Sequence, residues 1–173
     1  MRIHALLLGI LLLLGGCQTT HSLKTPEVDY SERLPAISVN VIGLPSWMLR
    51  DELRHRGTFD EVKAGRSEDG YNVLVIANSN IGGLQPQMFL SALTMFIVPV
   101  PVSWDSTVVF SLSHGKEVLG VYAVNNHSSA WRGLVNPSGG QMEHVRLISD
   151  AFIAQVLKDQ PFNREAMQRA ASL

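Results

Sequence analysis

Between Ser103 and Ser113 the chain alternates: Trp104, Ser106, Val108, Phe110 and Leu112 fall on one side, and Ser103, Asp105, Thr107, Ser111 and Ser113 on the other. Successive side chains of a strand point to opposite faces, so this stretch reads as a strand that is dry on one face and wet on the other. Such a strand needs neighbours for its backbone groups and an apolar layer over its dry face.

Both are present in the sequence. Ile37–Ile42 alternates before Gly43, and Tyr71–Asn80 has high strand propensity before Gly82-Gly83. His114-Gly115-Lys116 turns the chain, Val118–Val124 returns it as a hairpin partner, and Asn125–Ser129 leads on to Trp131 and the loop Asn136–Gly140. Phe59 and Val62 read as a short strand that ends in the polar turn Gly65–Gly70. The covering layer comes from two helices. One spans 46–56, with Ser46 placed to cap its start and Gly57 its end. The other spans 141–158, where Met142, Val145, Ile148, Phe152 and Val156 recur at helical spacing. Pro161 lies beyond its end, and Asn163 is placed to cap a short tail helix. The expectation is an α+β fold: a mostly antiparallel sheet with two main helices on one face, in the order β-α-β-β-(apolar insert)-β-β-α. Residues 36–160 form this single domain, and 161–173 a weakly ordered tail.

Residues 1–16 do not belong to it. Arg2 and His4 precede an apolar run, Ala5–Leu14, of ten residues, and Gly15-Gly16-Cys17 follows. A helix that crosses a bilayer needs about 20 apolar residues, so this run is a secretory signal peptide that is removed. Cys17 is the only cysteine among 173 residues, which excludes an intrachain disulfide and a multi-thiolate metal site. The tetrapeptide Leu14-Gly15-Gly16-Cys17 resembles the bacterial lipobox, whose cysteine carries a thioether-linked diacylglycerol and an N-acyl (palmitate-type) chain after cleavage. Several acyl chains on one residue anchor a protein durably where one would not. In lipoproteins of bacteria with two membranes, Asp after the cysteine marks inner-membrane retention; Gln18 stands here, so the resemblance implies the outer membrane and its periplasmic face. Residues 17–35, polar and with two prolines, read as a lipidated flexible tether.

The stretch Leu49–Val62, followed by Asp69-Gly70-Tyr71-Asn72-Val73-Leu74, resembles the module shared by the curli-secretion lipoprotein, the TolB amino-terminal domain and penicillin-binding-protein activator lipoproteins: a helix ending Leu-x-x-x-Gly-x-Phe-x-x-Val, then a strand that opens with tyrosine. Leu90-Ser91-Ala92-Leu93-Thr94 and the Trp-bearing strand after it are similar to uncharacterised proteobacterial lipoproteins. These resemblances imply the fold more than the role, and none transfers a catalytic residue.

Met88–Val102 contains no charge. As a helix over 86–98 it would be roughly 20 Å long, too short to cross about 30 Å of hydrocarbon. It is therefore a core element of the domain, or an exposed apolar element that docks on a partner or dips into the lipid interface. In the exposed reading Phe89, Leu90, Leu93, Met95, Phe96 and Ile97, with Trp104 and Trp131 nearby, are the interaction residues. Pro99 and Pro101 argue against a continuous strand there, since each lacks a ladder donor. Packing is the other use open to Trp47, Trp104 and Trp131.

Lys and Arg total 14 against 15 Asp and Glu, so no basic field exists to attract nucleic acid. Charged residues make up 17% of the chain, below the usual quarter, which implies surface that faces lipid or protein. No Gly-x-Ser-x-Gly elbow, Gly-rich phosphate loop or His-Glu-x-x-His helix occurs. An acid–base or metal site would have to gather His114, His127 and His144 with Asp105, Glu117 or Glu143 from afar, and each histidine reads as a solvated surface residue. The expectation is a non-enzymatic outer-membrane lipoprotein with no metal and no cofactor beyond its lipid, and a protein partner or self-association. The alternative is a binding module for a lipid or other amphipathic ligand.

Overall fold

The computed structural model describes residues 19–165, apart from 29, 45, 82–88, 90, 91, 95, 96, 98, 134, 135 and 137–139. Cys17 and the lipobox, together with Leu90, Met95 and Phe96, lie outside the described residues. The elements are β1 (Thr20–His21), β2 (Ile37–Ile42), α1 (Ser46–Arg56), β3 (Val62–Ala64), β4 (Tyr71–Ile81), β5 (Val100–His114), β6 (Glu117–Arg132) and α2 (Gln141–Asp159). They form one six-stranded sheet in the order β1-β6-β5-β4-β2-β3, with α1 and α2 on one face. This is the expected α+β layer structure, with two pairings the local pattern did not carry. β2 runs parallel to both β4 and β3, while β4–β5, β5–β6 and β1–β6 are antiparallel. The parallel pair β2–β3 is joined through α1, the helical crossover that parallel neighbours need.

Side-chain alternation then sets what is dry. Val108, Phe110 and Leu112 of β5 and Val73 and Val75 of β4 point under the helices, where they meet Val145, Ile148, Phe152 and Val156 of α2 and Leu49 and Leu53 of α1. Phe152 sits at the centre, stacked on Phe110 with ring centroids 4.2 Å apart and an interplanar angle of 9°, and edge-on to Tyr122 at 5.7 Å. Among the described residues no helix covers the opposite face. Register places Ile42, Ile76, Val109 and Ala123 in one row across it, and Asn40, Leu74, Ser111 and Val121 in the next.

Four details depart from expectation. Pro101 lies inside β5, opposite Trp131. β4 ends opposite Trp104, so among the described residues Val100–Ser103 have only β6 as ladder neighbour, and a residue without an N–H is tolerated on the unpaired flank. Asn125–Ser129 is not a connection but the middle of β6, a strand of 16 residues. The stretch read as a free tether rests on the domain: Thr20 and His21 pair with Ser129 and Ser128, Leu23 and Val28 pack on the core, and Leu34 is buried. Past Gln160, which is left-handed at φ 46°, Pro161–Glu165 is helical and buries Phe162 and Glu165. Tyr71 receives the edge of Phe162 at 4.8 Å, and His114 holds Glu165 through Nδ1 at 2.5 Å. That part of the expected loose tail is docked on the end of the sheet.

Candidate functional site

The uncharged insert enters β5 at its exposed end. Phe89, Ala92 and Leu93 are helical, and Ile97 N–H donates to the Thr94 carbonyl at 3.0 Å. Phe89 and Leu93 are four residues apart, the spacing at which helical side chains share a face, and Ile97 follows outside the helix. Their side chains face solvent, at 62%, 83% and 71% exposure. Three residues past Ile97 the chain pairs as Val100 with Arg132 and then Pro101 with Trp131, whose indole is 45% exposed. A step of three residues spans at most about 11 Å, so Ile97 lies within that distance of the end of the hairpin that carries Trp131.

Trp104 is not part of that surface. It sits on the dry face of β5 and forms, with Val100, Val102 and Ala130, a small buried cluster separate from the main core. Of the two tryptophans expected at an interaction surface, Trp131 is available and Trp104 serves packing, as the alternation that begins at Ser103 requires.

The three histidines do not converge. His127 stays exposed on the uncovered sheet face, with Nδ1 2.5 Å from Asp105 Oδ1. His114 is half-buried at the hairpin turn, donating through Nε2 to the Asp69 carbonyl at 3.0 Å and meeting Glu165 through Nδ1. His144, expected on the surface, is fully buried. It lies four residues before Ile148 and eight before Phe152, on the stripe of α2 that faces the sheet, so the helix carries it inside. There it is satisfied by polar residues on the dry faces of β5 and β6. Nε2 meets Ser106 Oγ at 2.8 Å, and Nδ1 meets Ser128 Oγ at 2.6 Å and the Asn126 amide nitrogen at 3.1 Å. The amide can only donate, which makes Nδ1 the acceptor and assigns the proton to Nε2. Burial pushes the His144 imidazole down to about 4, and His21 nearby adds to the depression.

Ser128 Oγ also meets His21 Nδ1 at 2.6 Å, and Asn126 Oδ1 accepts from Ser22 Oγ and from the Leu23 N–H, both at 3.3 Å. One buried network therefore ties the N-terminal segment, β5, β6 and α2 together. A serine beside an imidazole is the pairing of nucleophile and base. Here Ser128 and His144 are both sealed from solvent, and through His21 they fasten the N-terminal segment to the domain. Among the described residues no group of three or more His, Cys, Asp or Glu comes together to hold a metal, and no helix is long and apolar enough to cross a membrane.

The sequence matches no protein-family model and no curated protein. Among solved structures, a minor lipoprotein from Acinetobacter baumannii aligns at 18% identity and a TM-score of 0.40, covering 75% of this chain and 92% of its own. A Xanthomonas campestris protein of the DUF330 family aligns at 7% identity and a TM-score of 0.43, covering 78% and 91%. Rare lipoprotein B from Shewanella oneidensis aligns at 13% identity and a TM-score of 0.31, covering 79% and 97%. At TM-scores this low no property of these proteins is carried over to this chain.

Proposed function

We propose that this chain is a non-enzymatic lipoprotein of the bacterial outer membrane, held by acyl chains on Cys17 with its domain in the periplasm. In this reading it is an accessory part of an envelope assembly, and it docks a protein partner on the apolar region of Phe89, Leu93, Ile97 and Trp131. Leu90, Met95 and Phe96 of the same uncharged segment are expected to join that contact. The observation that carries the reading is the exposure of three large apolar side chains at four-residue spacing, in a segment without a charge.

The energetics favour a tethered partner. Burying each of these side chains is worth about 1.5–3 kcal/mol, so three give roughly 5–9 kcal/mol. Free association in solution costs an amount of the same order, about 4–15 kcal/mol. Two proteins anchored in one membrane begin at high effective concentration, and that offsets much of the cost. A modest apolar patch therefore suffices beside a lipid anchor where it would fail between soluble monomers.

Site-specific photo-crosslinking in intact cells tests this. A photoactivatable residue at Leu93 is expected to give one discrete protein adduct, and the same residue at Lys63, on the far edge strand, none. Equal smears from both positions, or lipid adducts only at Leu93, would overturn the reading.

A further inference from the structure

The uncovered face of the sheet carries a groove of about 520 Å³ at the end away from the insert. Its floor is mixed: Ser38 and Asn40 of β2 and Ser111 and Ser113 of β5 flank Asn72 and Leu74 of β4, and Val118 of β6 joins the lining. Its walls are two turns. One follows β3 and is pinned over the sheet by Asn72, whose side chain accepts from the Ser67 N–H at 2.7 Å and donates to the Ser67 and Gly70 carbonyls, both at 2.9 Å. The other is the β5–β6 hairpin turn. Each wall contributes one cation to the lining, Arg66 and Lys116. Neither is in an ion pair among the described residues, and the acids that share their turns, Glu68, Asp69 and Glu117, do not line the groove.

Away from these cations the face turns apolar. Leu74 lines the groove in the row after Asn72, and Ile76 follows beside Ile42 in the next, both half-exposed. From the Asn72 row to the Ile76 row is four residues, about 13 Å at the rise of a strand. Beyond it the row of Asn78, Thr107 and Asn125 ends the apolar strip.

We infer that this face binds one molecule of an anionic, lipid-like amphiphile, with its acidic head between Arg66 and Lys116 and its first methylenes along Leu74, Ile76 and Ile42. Two unpaired cations over hydroxyl and amide donors select a negative head with several acceptors. The adjoining strip selects an apolar extension over a free anion. The volume is that of a small-ligand site. The site lies apart from the insert, so its occupancy is independent of the docking reading above.

The test is native mass spectrometry of the whole lipidated chain in a nonionic detergent, with three probes: dihexanoyl phosphatidylglycerol, dihexanoyl phosphatidylcholine and glycerol 3-phosphate. One phosphatidylglycerol per chain is expected, and little of the other two. Arg66→Glu combined with Lys116→Glu removes two screened ion pairs and is expected to weaken binding about tenfold or more. Ile76→Ser is expected to weaken it severalfold, with thermal unfolding of each variant confirming the fold. Lys158→Glu, at the end of α2 on the helix-covered side of the sheet, leaves it unchanged. Equal binding of phosphatidylcholine would overturn the role of the cations, and equal binding of glycerol 3-phosphate would overturn the apolar half in favour of a free-phosphate site. No binding, or binding untouched by both variants, would overturn the proposal whole.

Discussion

Replacing Phe89, Leu93 and Ile97 together by glutamate separates a surface insert from a core one. All three side chains face solvent, so each substitution removes little buried area and leaves no charge in an apolar site. Surface changes of this kind stay within about 0.5 kcal/mol each, so the triple variant is expected to lose less than roughly 1.5 kcal/mol. Phe152→Ala is the benchmark for true core. Phe152 is fully buried, stacked on Phe110 at 4.2 Å and met by Tyr122 at 5.7 Å, and its truncation is expected to cost about 3–5 kcal/mol. If the insert were core, three buried carboxylates would each cost several kcal/mol, enough to abolish a domain stable by about 5–15 kcal/mol. Urea unfolding of the full chain in nonionic detergent reads the difference through the emission of Trp104, which is buried and exposed on unfolding. A shift of midpoint at constant slope reports stability alone. A triple variant that falls as far as Phe152→Ala, or does not fold, would show that the insert belongs to the core.

The buried imidazole makes stability depend on pH. His144 is held down to about 4 in the folded chain against an ordinary 6.5, so the unfolded chain binds the extra proton first. The contribution is complete above pH 6.5 and is lost as pH falls from there toward 4. Between pH 7.5 and pH 5 the loss is about 2 kcal/mol by linkage, read as a fall in urea midpoint that His144→Gln largely removes; His21, depressed mainly by burial, adds in the same direction. Gly43 takes φ 92°, and a Cβ there would collide with the Ala77 carbonyl oxygen, so Gly43→Ala is expected to cost about 3 kcal/mol in thermal or urea unfolding. Gly115→Ala, at φ 57° with nothing near, should cost only about 1 kcal/mol; equal losses would show that strain and not the clash decides. Tyr30 donates to Asp150 Oδ1 at 2.6 Å, and burial with that bond raises its phenol to about 12. In ultraviolet titration it should stay un-ionised at pH 11, and Tyr30→Phe should speed proteolysis of residues 19–33.

The strands and helices were legible because their causes are local. Period-two alternation marked β2 and β5, strand propensity marked β4, the stripe through Val145 and Phe152 marked α2, and the φ-permissive Gly57 and Gly115 sit where the chain stops or turns. The pairing of β2 with both β3 and β4 was not legible, because nothing in Ile37–Ile42 encodes which distant strand it meets. The docking of Thr20–Leu23 was hidden for another reason. It rests on hydroxyl, imidazole and amide bonds to Asn126, Ser128 and Ser129, and polar residues facing polar residues look like solvent-exposed chain. His144 did carry a signal, its place on the same stripe as Ile148 and Phe152, and so did Asn126 and Ser128, two and four residues beyond Val124 on the dry face of β6. Polar residues at dry-face positions on two elements are the sequence sign of a buried network. The apolar character of the insert was legible as composition, in a segment without a charge. Its exposure required three dimensions.

The apolar region around Leu93 is proposed to join this chain to a partner. Extracting the native protein from its membrane in mild detergent, sizing the particle and identifying its contents by mass spectrometry tests that directly, with the triple glutamate variant run alongside. A defined particle larger than one chain, holding a partner or further copies, is expected for the native protein, and a single chain for the variant in the same membrane. A native protein that emerges as a bare monomer, or a variant that keeps the whole complex, would contradict it.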